Sequence, residues 1–413
     1  MVQILKGIIL GIDNILATGR EDDAQIDPLI LNETGRLINF LHQNDIQPVV
    51  LANRDWFING QRLEDFLTSQ WGQFQWFIAN IHSTPRKPLK DSINHVLNVM
   101  GWNKNETIYL GNTDADMKTA VNGGLLFLNA IWYSQTNYYG FEFDSPKDVA
   151  RFIDIFCLRK QFWNFAINHQ NLEYYALGIY GTREEKYSIY SNDAREAAKF
   201  GRGHPDFWIK YLLSAVYFSG LHERIDYIAP YPGHQKGSTP TVMEETLVAF
   251  AKCFRKKYLK DLIFRHTTSR KSAYARSSGE TIDHLNQLNT IYINKLPSYG
   301  DNKIYTNPPL KKGKTVLLID DFCTQGYSLE AARIFIEKTG ANVICLSLLK
   351  TIIKDYEQIV SIENFNPFQP NQFSLPGSIV RHPYKNCVLS PSAYEEIGSK
   401  LQAYDDWQWP NGI

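Results

Sequence analysis

The stretch from Thr315 to Ser328, Thr-Val-Leu-Leu-Ile-Asp-Asp-Phe-Cys-Thr-Gln-Gly-Tyr-Ser, constrains the fold more than any other part of the chain. Its apolar residues predict a buried parallel strand that ends in two adjacent carboxylates, Asp320 and Asp321. A short loop with Gly326 follows, and Ser328 is placed to cap a helix with apolar positions Leu329, Ala332, Phe335 and Ile336. Gly340 closes that helix, and residues 341–349 read as the next strand. In such strand–helix–strand units, ligands sit at the carboxyl ends of the strands.

The residue types limit what that ligand is. A helix N-terminus, with unpaired N–H groups and a positive dipole end, suits a phosphate. Thr324 and Ser328 add hydroxyl donors, and Gly326 permits close backbone approach. Paired acids would repel a phosphate, so they must face hydrogen-bond donors or a cation; the two hydroxyls of a ribose, or a hydrated Mg2+, meet that need. A competing reading is the acid-ended strand of an NTPase. It requires a P-loop, yet the Gly-Lys-Thr at Gly313–Thr315 has Pro308 where the first Gly belongs and precedes a strand.

This segment resembles the phosphoribosyl-diphosphate (PRPP) signature of type I phosphoribosyltransferases, a hydrophobic strand leading into Asp-Asp and a Thr-Thr-Gly-x-Thr/Ser loop. Asp320 and Asp321 match the acidic pair; Thr324, Gly326 and Ser328 match the loop; Gln325 and Tyr327 depart from it. The resemblance implies that Asp320 and Asp321 orient the ribose and hold Mg2+, and that residues 324–328 hold the 5-phosphate. It also implies a diphosphate loop after an earlier strand, for which Pro230-Tyr231-Pro232-Gly233-His234 is the candidate, with Lys236 nearby. A flexible basic loop should follow, and Phe264–Arg276 offers Arg265, Lys271 and Arg276 as counter-charges to diphosphate. The pattern is similar to the amidophosphoribosyltransferase-like branch associated with competence proteins, in which an Asn follows the Arg-rich segment (compare Asn286 or Asn289). It spans roughly residues 220–350.

Residues 1–135 alternate apolar runs (6–10, 47–51, 74–79, 107–110 and 125–129) with amphipathic helices such as 33–43 and 89–100, the latter ending at Gly101. That alternation predicts a parallel sheet covered on both faces. This half resembles the haloacid dehalogenase-like (HAD) phosphohydrolases. Asp13 matches the family's general acid, Lys87 its phosphate-binding lysine, and Gly111-Asn112-Thr-Asp114-Ala-Asp116 its metal motif. Gly11 stands at the nucleophile position, Ala52 at the Ser/Thr of the second motif, and Asn112 replaces an acid. Covalent catalysis needs a carboxylate that Gly11 lacks, so Asp13, Lys87, Asn112 and Asp116 are expected to be vestigial.

The expected organisation is therefore two doubly wound α/β domains. The HAD-like domain spans 1–135. The phosphoribosyltransferase domain spans 136–413, with an aromatic-rich part (136–224), a core (225–350) and an extension (351–413). A hairpin is predicted from residues 174–180 and 186–190, and the second βα series should run through 225–230 and 261–264. Lys plus Arg and Asp plus Glu number 43 each, so no whole-chain field points to nucleic acid. The five cysteines are scattered and form no CxxC pair, and no run is long and apolar enough to span a membrane, which fits a cytoplasmic protein. The expected function is Mg2+-dependent transfer from PRPP to an unidentified small-molecule nitrogen acceptor. The alternatives are a PRPP- or nucleotide-binding regulator, and a HAD-type phosphatase acting on a phosphorylated product. A homo-oligomer stays open.

Overall fold

The computed structural model describes residues 5–136, 138–238, 244–270, 283–300, 303–374, 379–385, 388–390 and 392–413. Its first sheet contains β1 (Gly7–Leu10), β2 (Gln47–Ala52), β3 (Gln75–Ile78), β4 (Thr107–Gly111), β5 (Leu126–Ala130) and β6 (Phe141–Phe143). Their spatial order is β6-β5-β4-β1-β2-β3, and every pairing is parallel. Every residue of β1, β4 and β5 is buried, which is why these strands read as unbroken apolar runs. The helices are α1 (Pro28–Gln43), α2 (Leu63–Trp71), α3 (Lys90–Met100), α4 (Asp114–Gly123) and α5 (Pro146–Phe152). Asp27 caps α1 by accepting from the amides of Leu29 and Ile30, with Pro28 in the first turn. Gly101 ends α3 in the left-handed conformation. The sixth strand, β6, lies beyond residue 135, where the sequence shows no clear period.

The second sheet contains β7 (Phe165–His169), β8 (Leu172–Tyr180), β9 (Tyr227–Pro230), β10 (Lys257–Tyr258), β11 (Thr315–Cys323) and β12 (Asn342–Thr351). The order is β7-β8-β12-β11-β9-β10, parallel throughout except for the β7–β8 hairpin. Its helices are α6 (Glu185–Phe200), α7 (Pro205–Phe218), α8 (Glu244–Cys253), α9 (Tyr327–Glu337) and α10 (Ala393–Asp405).

Three expectations are corrected here. The hairpin partner of β8 is β7, before it in the chain; residues 186–190 belong to α6. The inward side chains of α6 are Tyr187, Tyr190, Ser191, Ala194 and Ala197, a helical spacing that the short Tyr–Ile–Tyr alternation concealed. The run at 261–264 does not join the sheet: Ile263–Arg265 pairs antiparallel with Ile291–Ile293 in a separate ribbon, and β10 takes the sheet position. Ser328 is not the cap of α9. Gly326, at φ +81°, precedes the helix, and Ser328 lies within its first turn.

The two sheets share one continuous cluster of buried apolar side chains. Helix α7 joins them: the Tyr217 hydroxyl donates to the carbonyls of Thr107 (2.5 Å) and Lys104 (2.7 Å) at the amino end of β4. At the base of α7, His204 bonds Asp193 of α6 through Nδ1 and Asp405 of α10 through Nε2, both at 2.7 Å. The segment after α10 returns to α1, where Trp407 and Trp409 meet Phe40 edge-on and Arg36 lies 4.7 Å over the Trp409 ring.

Candidate functional site

The register of the second sheet builds the first candidate site. Pro230, the last residue of β9, lies beside Ile319, and the Tyr231 amide still donates to the Ile319 carbonyl at 2.8 Å. Beyond that point β11 keeps only β12 as a neighbour, with Asp320 opposite Ser347 and Cys323 opposite Lys350. The loop after β9 and the loop after β11 therefore face each other at the carboxyl edge of the sheet, and the acidic pair lies between them.

Asp320 and Asp321 are partly buried, and each accepts from the next backbone amide, at 2.9 and 2.8 Å. Burial, reinforced by the Asp321 charge, pushes the Asp320 carboxyl well above its ordinary range. Lys199 of α6 brings its ammonium to 3.9 Å from Asp321 and 5.6 Å from the Phe322 ring centroid. Sequence reasoning missed this lysine, because residues 185–200 had no legible connection to the acids.

The loop between Asp321 and α9 is held from behind. The buried Lys350 ammonium donates to the carbonyls of Thr324, Thr351 and Lys354, each at 2.8 Å. At Gly326 a Cβ would lie 2.5 Å from the Tyr356 ring, so this position needs glycine for space as well as for its positive φ. Tyr356 in turn donates to Glu330, which pairs with the wholly buried Arg333. The Gln325 side chain donates to Glu357 at 2.8 Å, and the Tyr327 ring packs on His284 with centroids 4.3 Å apart. The side chains of Gln325 and Tyr327, the two departures from the signature, are thus engaged in local packing, while Thr324, Gly326 and Ser328 stand where the sequence places them, between β11 and the first turn of α9.

In the facing loop, Tyr231 is buried and its hydroxyl donates to Gln287 at 2.7 Å. The carbonyl of Gly233 accepts from Arg265 and that of His234 from the Ser269 amide. Arg265 corrects the sequence reading. Only 1% of it is exposed, and its donors go to Gly233, Thr290, Tyr231 and Gln287, so it is not a free counter-charge for diphosphate. Lys271 and Arg276 lie outside the described residues. Asn286 holds the backbone of Arg270 and Asn289 that of Phe373, each by a reciprocal pair of hydrogen bonds.

The second candidate site lies at the carboxyl ends of β1, β2 and β4. Asp116 at the start of α4 is fully buried and accepts from Lys87 (2.6 Å), Tyr109 (2.7 Å) and Thr113 (2.8 Å). Burial works to raise its pKa, but these donors outweigh that and lower it. Asn53 fixes the Lys87 backbone through a reciprocal pair of hydrogen bonds. A Cβ at Gly11 would lie 2.8 Å from an Asp116 oxygen. Asn112 turns away, donating to the carbonyls of Ala130 and Ser134, and its Oδ1 is buried without a partner. Burial, then the Asp116 charge, raises the Asp13 pKa. Asp114 pairs on the surface with Lys118 at 2.6 Å. The four residues expected as a vestigial group thus belong to one sheet edge, but Asn112 faces away from the Lys87–Asp116 pair.

Among the described residues, no group of three or more His, Cys, Asp or Glu side chains is arranged to hold a metal ion, and no helix is long and apolar enough to cross a membrane.

No protein-family model matches the chain, and no curated protein matches it. Solved structures resemble it over about a third of its length. The cobalt-bound deoxy-D-mannose-octulosonate 8-phosphate phosphatase of Haemophilus influenzae is 19% identical with TM-score 0.24, covering 31% of this chain and 70% of that one. D,D-heptose 1.7-bisphosphate phosphatase of B. bronchiseptica, complexed with magnesium and phosphate, is 15% identical with TM-score 0.29, covering 35% and 96%. A HAD-superfamily hydrolase, subfamily IA, from Geobacter sulfurreducens is 11% identical with TM-score 0.24, covering 36% and 95%. The fold class is α/β, and part of the chain is similar to HAD-type phosphatases in fold alone; no residue role is carried over from them.

Proposed function

We propose that the second sheet carries an Mg2+-dependent phosphoribosyltransferase site and that the first sheet supports it without hydrolysing phosphate esters. The observation behind this reading is the placement of Asp320 and Asp321 between two facing loops, immediately before the Gly326 turn and the N-terminus of α9. In this reading the twin carboxylates orient the ribose hydroxyls and stabilise positive charge developing at the anomeric carbon. Residues 324–328 hold the 5-phosphate, and the Pro230–His234 loop faces the diphosphate. The bond from the anomeric carbon to diphosphate breaks as a bond to the acceptor nitrogen forms, and that nitrogen loses a proton.

The donor set suits Mg2+. Two adjacent carboxylates are hard oxygen ligands, and Mg2+ commonly takes one or two of these together with substrate phosphates and water. When bound there it would neutralise charge on the departing diphosphate.

The test is calorimetric binding of Mg2+–PRPP, followed by diphosphate release across a panel of nitrogen acceptors. Asp320→Asn with Asp321→Asn should keep the fold and lose binding by tenfold or more, about the loss of one or two charge-assisted contacts. Normal binding by that double variant would overturn the assignment. Binding without turnover on any acceptor would instead point to a regulator.

A second reading places phosphatase chemistry on the first sheet. It is favoured by the convergence of Asp13, Lys87 and Asp116 on one sheet edge, and the similar solved structures are phosphatases. Gly11 and the internally paired Asp116 weigh against it. Mg2+-dependent turnover of a phosphomonoester that disappears in Asp13→Asn would establish it.

A further inference from the structure

Strand register brings further side chains to the acidic pair, on the side away from the loop after β9. Phe322 of β11 lies beside Leu349 of β12, and Leu349 beside Gly178 of β8. Tyr180, two residues beyond Gly178, projects from the same face of β8, and its ring centroid lies 4.9 Å from that of Phe322 at an interplanar angle of 55°. Both residues are half-buried, so part of each stays open. Lys199, in the last turn of α6, holds its ammonium 5.6 Å from the Phe322 centroid and 3.9 Å from Asp321. That second distance is too long for a hydrogen bond, and 50% of the lysine side chain is exposed, so its donors can serve a ligand.

Sheet order gives this surface its direction. β11 lies between β9 on one side and β12, then β8, on the other. In the proposed site the diphosphate faces the loop after β9, so the leaving group departs toward β9. A displacement aligned with that departure brings the nucleophile in from the opposite side, where Tyr180, Phe322 and Lys199 stand. Aromatic rings favour a flat partner, and a partly exposed ammonium favours an oxyanion. An acceptor that meets both demands is an aromatic nitrogen heterocycle carrying a carboxylate.

We propose that Tyr180, Phe322 and Lys199 form the acceptor subsite, with the acceptor ring against the two aromatics and its carboxylate on Lys199. This rests on the proposed phosphoribosyl transfer and names the acceptor class for it. The ring nitrogen's lone pair forms the new bond to the anomeric carbon while the bond to diphosphate breaks, its electron pair leaving with diphosphate. A proton carried by that nitrogen passes to water, and the carboxylate is unchanged. Tyr180 and Lys199 belong to the aromatic-rich part before residue 225, outside the span that resembles the phosphoribosyltransferase signature. The choice of acceptor is thus made by a segment the signature does not describe.

The experiment measures, by calorimetry on the full chain, the binding of a pyridine carboxylate and an imidazole carboxylate against their carboxamides. Mg2+–diphosphate is present in place of PRPP so that no transfer occurs, and Mg2+–PRPP binding is measured beside it. The wild type is compared with Lys199→Met, Lys199→Arg and Tyr180→Leu, with thermal unfolding as the fold control. The wild type should bind at least one carboxylate about tenfold or more tightly than its carboxamide, the effect of one charge-assisted contact. Lys199→Met should abolish that preference, and Lys199→Arg should keep it. Tyr180→Leu should weaken carboxylate and carboxamide alike, by about fivefold or more, and leave their ratio unchanged. If Lys199 only neutralises Asp321, Lys199→Met changes Mg2+–PRPP affinity and leaves the carboxylate preference intact, which overturns the inference. A wild type that binds PRPP but takes neither carboxylate, or takes the carboxamides equally well, overturns the inference alone. A wild type that binds no PRPP removes the proposed transferase site and the inference together.

Discussion

The Lys87 ammonium lies 2.6 Å from the Asp116 carboxylate, and that carboxylate fills the space a side chain at position 11 would enter. The absence of a side chain at position 11 and the closed ion pair are thus one local packing arrangement. Gly11→Asp should not confer phosphomonoester turnover. It should lower stability by about 2 kcal/mol or more, from overpacking next to a buried like charge. Thermal unfolding and phosphomonoester turnover with Mg2+ check both halves of this expectation, and measurable turnover would sink it.

Asp320 gives a pH signature. Its folded pKa is raised by burial and by Asp321, so the folded chain holds this proton more tightly than the unfolded chain does. Stability therefore falls as pH rises from the unfolded carboxylate value, about 3.9, through the raised folded value. Asp320→Asn removes that loss. The variant's melting temperature should exceed that of the wild type at pH 8, and the gap should close on acidification. A gap independent of pH would mean that the pair is not under electrostatic strain.

The His204 contact has the same sense of pH dependence, but here the lost term is a stabilising pair. Partial burial disfavours its charge, but the hydrogen bonds to Asp405 and Asp193 outweigh this and raise its pKa. Its stabilising contribution is full below the unfolded value, about 6.5, and fades as pH rises through the folded one. His204→Ala should lower the melting temperature most near pH 6 and least near pH 9. Solvent screening keeps the effect to about 1 kcal/mol or less. An equal deficit at both pH values would assign the loss to packing alone.

Trp407 should matter far more. It is 6% exposed, donates through Nε1 to Asp154 at 2.8 Å, and packs against Phe40 and Trp409. Trp407→Ala should cost about 3 kcal/mol or more, read by denaturant unfolding. A loss below about 1 kcal/mol would mean that the returning segment is only loosely attached.

Much of this architecture was legible in the residues, for identifiable reasons. The first five strands of the first sheet are almost wholly buried, so their apolar runs carry the boundaries to within about a residue, whereas β6, with Glu142 exposed, gave no such run. The Asp320–Ser328 segment was readable because strand, acids, glycine and helix occur in unbroken succession. What escaped depends on tertiary placement. Residues 186–190 alternate like a strand over five positions, and their helical period emerges only across Tyr187, Tyr190, Ala194 and Ala197. Lys199 is near Asp321 only because the fold brings the end of α6 to the acidic pair. Arg265 belongs to a basic run that suggests solvent, yet its pairing with Thr290 in the following ribbon buries it.

The packing of Trp407 and Trp409 on Phe40 also bears on biogenesis. During synthesis, the face of the helix at residues 28–43 that contains Phe40 waits until residues 407–409 have emerged before its aromatic cover arrives. Until then that surface is available to a chaperone, and premature arrest anywhere upstream of residue 407 would leave it open.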